Sequence, residues 1–159
     1  MVTPPPIPPG RTPPAGFFTA STTEMVKNTA IVWQEALLAA SEGSLVLTAH
    51  PHRCLLLYPS PAWQPIRDQI LKASSLDPRA ASIKRVLVGT ARTEEPDSAG
   101  RILIAPELRE YAQFEKTVYL VGMGTHFEIW SEAGWQAQNE LAAEALSGEL
   151  PAGLADLVL

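Results

Sequence analysis

Leu45-Val-Leu-Thr-Ala-His-Pro-His-Arg-Cys-Leu-Leu-Leu-Tyr58 decides how this chain folds. Residues 44–48 read as a strand and residues 49–53 as a polar turn around Pro51. Residues 54–58 read as the returning strand, so the stretch is a β-hairpin. Pro59-Ser-Pro61 then breaks the strand. Ser60 is placed to cap a helix whose first position is Pro61. Residues 63–74 carry that helix, with Trp63, Ile66, Ile70 and Leu71 expected on one face.

The pattern returns after about 72 residues. Leu45-Val-Leu47 falls on Thr117-Val-Tyr119, and Cys54-Leu-Leu-Leu-Tyr58 falls on His126-Phe-Glu-Ile-Trp130. Tyr58 and Trp63 are five apart, as are Trp130 and Trp135. Glu35 falls on Glu107. Each half reads as strand, short helix, hairpin and capped helix. One such unit is too small to bury a core alone. Two in one chain imply a pseudo-twofold domain in which strands of both halves interleave.

Around the hairpins the elements are shorter. Residues 30–33 read as a strand and 34–40 as a short helix. Asp77 and Pro78 are a fitting cap and first residue for a helix reaching about residue 88. Residues 89–93 lead into the polar bend Glu94-Glu-Pro-Asp97. Residues 101–104 read as a strand, and Pro106 opens a helix ending near residue 111. Residues 117–122 and 126–130 are strands, and Ser131 caps a helix over 132–146. Residues 1–16 are a Pro-rich segment, expected to be a disordered tail; seven of the fifteen prolines lie within the first fifteen residues. Residues 147–159 read as a flexible C-terminal tail.

Composition narrows the function. The chain has 159 residues, 46% of them hydrophobic, and a net charge of −5. Bulk charge therefore does not point to nucleic acid. From residue 60 to 101 there are seven Lys/Arg against five Asp/Glu, and from 102 to 159 two against nine. An acidic chain still binds DNA if an assembly gathers its few arginines on one face. Cys54 is the only cysteine, which excludes an intrachain disulfide and a thiolate zinc site. Its apolar surroundings predict a buried structural thiol. No apolar run reaches membrane-spanning length, and the N-terminus lacks the layout of a signal peptide, so the expectation is a cytoplasmic protein. His50 and His52 flank Pro51, but two ligands without a carboxylate make a poor metal site. Catalytic triads, phosphate loops and dinucleotide fingerprints do not stand out. The expectation is no enzyme, no metal, no cofactor and no small-molecule substrate.

One motif carries chemistry: Asp97-Ser-Ala-Gly-Arg101. Asp97 and Arg101 sit four apart around Gly100, which permits a positive-φ turn. The carboxylate can hold the guanidinium at a strand entrance. A guanidinium so held can read a phosphate or a guanine edge, because its planar donors match both. Ser98 lies within the same turn. Arg92, Lys84 and Arg85 are weaker candidates for phosphate contact, and Lys27 weaker still. At the offset of 72, Asp97 to Arg101 falls on Met25-Val-Lys-Asn-Thr29, which lacks both charged members.

These residues resemble the MraZ family, bacterial transcription regulators of the division and cell-wall gene cluster. The resemblance runs from about residue 35 to residue 159. It rests on Cys54-Leu-Leu-Leu-Tyr-Pro59 followed by Trp63, Lys84-Arg-Val-Leu-Val-Gly89, Asp97-Ser-Ala-Gly-Arg-Ile-Leu-Ile-Ala-Pro-Glu-Leu-Arg109, Leu120-Val-Gly122 and Phe127-Glu-Ile-Trp130. It implies an α+β fold of two tandem AbrB-like swapped-hairpin units, here 17–75 and 76–146, forming a β-barrel-like domain with flanking helices. It also implies a homo-oligomeric ring that binds repeated sites on double-stranded DNA upstream of its own operon and represses transcription, a nucleoid-associated role. The family carries an Asp-x-x-Gly-Arg motif in each half. Here the second is complete and the first degenerate, and the Pro-rich leader is foreign to the pattern. The competing expectation is a structural or protein-interaction module that has lost DNA binding. In that case the ring, or the acidic last helix with Glu140 and Glu144, would meet another protein.

Overall fold

Both faces of one antiparallel sheet are buried, and this explains why Cys54–Pro59 is apolar without interruption. The computed structural model describes residues 23–26, 30–32, 41–98 and 101–158. Its strands are β1 (Thr23–Val26), β2 (Ala30–Val32), β3 (Leu45–His50), β4 (Cys54–Pro59), β5 (Arg92–Glu94), β6 (Arg101–Leu103), β7 (Thr117–Gly122) and β8 (Phe127–Ser131). Its helices are α1 (Ser60–Lys72), α2 (Pro78–Leu87), α3 (Pro106–Tyr111) and α4 (Glu132–Ser147). A 3-10 turn follows at Ala152–Leu154. The fold is α+β, as expected. The expected helix over 34–40 lies outside the described residues.

Six strands form the main sheet in the order β1-β7-β8-β4-β3-β5, and β2 pairs with β6 in a separate ribbon. Strands of the two sequence halves therefore interleave across the sheet. The join between the hairpins is the β4–β8 ladder, centred on Leu56 opposite Glu128, two residues 72 apart. Odd positions of β3 and β4 (Leu45, Leu47, Leu55, Leu57) meet Ile102, Ile104, Leu108, Phe127 and Ile129 on one face. Even positions (Val46, Cys54, Leu56, Tyr58) meet Trp63 and Trp130 on the other, under α1 and α4.

The two hairpins differ by one residue. Leu55 pairs with Ala49 in the first, and Phe127 pairs with Gly122 in the second. Phe127 follows Leu55 by 72 residues, but Gly122 follows Ala49 by 73. The second turn is one residue shorter. A slip of one residue moves a side chain to the opposite face. Hence Val118, not Thr117, takes the place of Leu45, and Tyr119 that of Val46. The offset of 72 holds for β4 and β8 but not for β3 and β7.

The same ladders correct the degenerate motif. Thr23 lies opposite Leu120 as Arg92 lies opposite Leu47, and Met25 opposite Val118 as Glu94 opposite Leu45. By register, β1 is the counterpart of β5. Met25 stands where Glu94 stands, not where Asp97 does. Between β1 and β2 the chain has three residues; between β5 and β6 it has six.

Caps follow the sequence at two helices and depart from it at a third. The Asp77 carboxylate accepts from the Arg79 N–H at 2.9 Å, and the Ser131 hydroxyl accepts from the Gly134 N–H at 3.1 Å. Ser60 does not cap α1. The helix begins at Ser60 itself, and this hydroxyl accepts from that of Ser44 at 2.6 Å, tying the helix start to the entry of β3. Leu71 is 49% exposed. At about 100° per residue it points about 80° beyond the nearest edge of the stripe formed by Trp63, Ile66 and Ile70. Strand β5 replaces part of the expected lead-in to the bend. Nothing in its own three residues marks it; the free edge of β3 selects it.

Candidate nucleic-acid interface

The Asp97–Arg101 fork forms. The Asp97 N–H donates to the Arg101 carbonyl at 2.9 Å, closing the loop between β5 and β6. One carboxylate oxygen of Asp97 accepts from the Arg101 N–H at 2.9 Å, and the other accepts from Arg101 Nε at 2.8 Å. A terminal guanidinium nitrogen lies 2.8 Å from that same oxygen. Backbone and side chain are thus locked by one residue. The hydrogen bond that Arg101 donates to Asp97, and then the charge of that carboxylate, raise the Arg101 pKa further above its already high ordinary value, so the cation persists at any physiological pH. The Arg101 side chain is 54% exposed. This is an ordered cation facing solvent at the entrance of a strand.

Helix α3 follows directly and is fastened at both ends. Glu107 pairs with Arg92 on β5. The Tyr111 hydroxyl donates to the His50 carbonyl at 2.9 Å, and the Arg53 guanidinium lies 4.7 Å from the centre of the Tyr111 ring. Ile102, Ile104 and Leu108 are buried beneath, within the core that also holds Leu47 and Leu57. The fork therefore stands on a strand and helix fixed to the first hairpin. The sequence reading missed Glu107 and Tyr111 in this role. Their partners lie fifteen and sixty-one residues away, and no local pattern reports that.

The other candidates separate. Ser98 is exposed beside the fork, and Arg85 is exposed on α2. Arg92 is half occupied by Glu107 and borders a cleft of about 230 Å³ with Trp63, Gln64 and Arg67. Lys84 has a different task. Its ammonium donates to the carbonyls of Ala73 (2.6 Å) and Leu71 (3.4 Å) and to the Ser75 hydroxyl (3.0 Å), capping the C-terminal end of α1. Gly100 and Lys27 lie outside the described residues.

A second polar group sits where the hairpins meet. His126 stacks on Tyr58 at 4.5 Å, and Trp130 Nε1 donates to Glu128 at 2.8 Å. Burial lowers the His126 pKa from 6.5 and raises the Cys54 thiol to about 12, so Cys54 is the buried, inert thiol expected. His50 and His52 meet edge to face at 4.7 Å. Among the described residues no group of three or more His, Cys, Asp or Glu could hold a metal ion, and no helix is long and apolar enough to cross a membrane.

Comparison with known proteins places the fork region inside a family match. A family model described as "MraZ protein, putative antitoxin-like" matches residues 87–154. A protein of Dechloromonas aromatica (strain RCB) named Transcriptional regulator MraZ is 91% identical over 126 residues, covering 79% of this chain and 85% of its own length. A protein of the same name from Aromatoleum aromaticum is 58% identical over 123 residues, covering 77% of this chain and 83% of its own. Another from Methylobacillus flagellatus is 57% identical over 118 residues, covering 74% and 80%.

Proposed function

The chain belongs to the MraZ family, and from this premise we propose that it is a DNA-binding transcriptional repressor. It recognises repeated operator sites in the division and cell-wall gene cluster, upstream of its own operon. The observation that carries this reading is the fork. Arg101 contacts a guanine edge or a phosphate, Asp97 orients it, Gly100 permits the turn, and Ser98 lies at its rim. The relatives' printed name, Transcriptional regulator MraZ, supports the same reading.

One fork per chain grips DNA weakly. A homo-oligomeric ring would repeat it at fixed spacing, and linked weak contacts combine through effective concentration. We read the fold as two AbrB-like units, 17–75 and 76–146, whose hairpins interleave into a β-barrel-like domain between a Pro-rich tail (1–16) and a C-terminal tail (147–159). The mixing of halves across the main sheet supports this. The setting proposed is the cytoplasm, on the nucleoid. Arg92 and Arg85 serve as secondary phosphate contacts.

The test is a gel shift with the full chain on DNA from upstream of its own gene. Arg101→Ala is expected to abolish the shift with solution mass unchanged; loss of one bidentate Arg–guanine contact costs about 1–3 kcal/mol per site. Binding by the native chain is expected to fall steeply with salt. An undiminished shift for Arg101→Ala removes this residue from the interface, and binding indifferent to salt removes the phosphate contacts.

A second reading has its own observation. Helix α4 runs sixteen residues with none buried, and Leu141 and Leu146 stand exposed beside Glu140 and Glu144. Such a face suits a protein partner. If the native chain ignores its upstream DNA at low salt but retains a partner through α4, the interaction module replaces the repressor.

A further inference from the structure

Strand β6 carries an exposed leucine that the core does not use. Its three residues alternate: Arg101 exposed, Ile102 buried at 2%, Leu103 exposed at 64%. Ile104, next in line, is buried again at 3%. Period two thus puts Leu103 on the same face as Arg101, about 6.6 Å further along the strand. A polar residue would satisfy an exposed strand position equally well. Here an isobutyl group stands in water two residues from an ordered cation.

We propose that Leu103 is a second specificity-determining residue, reading the C5 methyl of a thymine in the major groove beside the base or phosphate contacted by Arg101. This deepens the repressor reading and rests on it. Three observations favour DNA as the occupant. First, β6 belongs to a separate two-stranded ribbon with β2, with Leu103 opposite Ala30 and Arg101 opposite Val32, and the major groove admits a two-stranded ribbon. Second, the spacing of the two outward side chains is close to two base-pair steps of about 3.4 Å each. Third, Asp97 holds the Arg101 guanidinium by its Nε edge while the side chain stays 54% exposed, which leaves outer N–H donors for a base edge or phosphate. The thymine methyl is the apolar group that the major groove displays, and Leu103 is its chemical complement. Leu76 and Val158 are more exposed, but neither shares a strand face with an ordered arginine.

The experiment uses upstream DNA in which each thymine of the bound repeats is replaced singly by uracil, which lacks only the methyl. For the native chain, one position per repeat is expected to weaken binding about fourfold, the effect of one buried methyl. Leu103→Ala is expected to bind unmodified DNA more weakly by a similar factor and to be indifferent to uracil at that position. If the native chain binds but no thymine responds, Leu103 does not read a methyl and the repressor reading stands. If the native chain does not bind upstream DNA at all, both fall. If Leu103→Ala changes the solution mass, the leucine belongs to a contact between copies, and the proposal is overturned.

Discussion

The two hairpins of this chain share a plan and differ in what covers them. In the first, β3 and β4 bury Leu45, Leu47, Leu55 and Leu57 completely. In the second, β8 is as deeply set, with Ile129 fully buried, but β7 keeps Val118, Tyr119 and Val121 only half-buried. Both outer strands have a neighbour on the far side, β5 for β3 and β1 for β7. Among the described residues, the difference is α2. It lies against β3, where the Thr48 hydroxyl donates to the Leu87 carbonyl at 2.6 Å, and the Thr90 hydroxyl accepts from the Ala49 N–H at 3.0 Å. Burial in a repeated motif is thus set by its surroundings and not by its own residues.

The largest expected effect separates the two outer strands. Leu45→Ala deletes a fully buried side chain and should lower unfolding free energy by about 2–5 kcal/mol. Val118→Ala, at the structurally equivalent place, removes a smaller and half-buried group and should cost about 1 kcal/mol. Urea midpoints of the two variants check this; equal losses would mean that β7 is covered as fully as β3.

A smaller effect tests the role of α2. By register, Val121 occupies in the second hairpin the position of Thr48 in the first. Thr48→Val copies the second half into the first with little change of shape. It leaves the Leu87 carbonyl short of a donor, at a cost of about 1–3 kcal/mol. No change in the urea midpoint would show that the helix rests on β3 by apolar contact alone.

The smallest effect concerns pH. His126 precedes β8 as Cys54 begins β4. Burial lowers the His126 pKa below 6.5 in the folded chain, with Glu128 opposing, so the unfolded chain binds the proton first. The stabilisation is complete above pH 6.5 and is lost as pH falls through that value toward the folded pKa. His50 shifts in the same direction, chiefly by burial. His126→Gln should therefore flatten part of the decline in thermal midpoint between about pH 7 and pH 5, and an unaltered decline would assign it to other groups.

Much of this was legible in the sequence, for identifiable reasons. Both hairpins announce themselves by apolar runs around polar turns. Asp77 and Ser131 cap as their positions suggest, because a cap is a local event. The fork was legible because its partners are four residues apart. The register slip was not. Where both faces of a sheet are buried, an apolar run has no phase, so a stretch such as Cys54 to Tyr58 aligns at 72 or 73 equally well. Strand β5, the Lys84 cap and the Tyr111 bond to His50 were also invisible, since each depends on chain brought from far away. Ser60 misled because a good capping residue was taken into the first turn by the strand running straight up to Pro59.

The ladder between β4 and β8 has a consequence for synthesis. Leu55, Leu56 and Leu57 must wait for residues some seventy positions downstream before their strand gains its second neighbour. A ribosome making the chain in order leaves that apolar edge unpaired until Ile129 has emerged. Completion of this part of the sheet therefore waits for β8, and the interval is when a chaperone, or another nascent copy offering its own β8, can reach that edge.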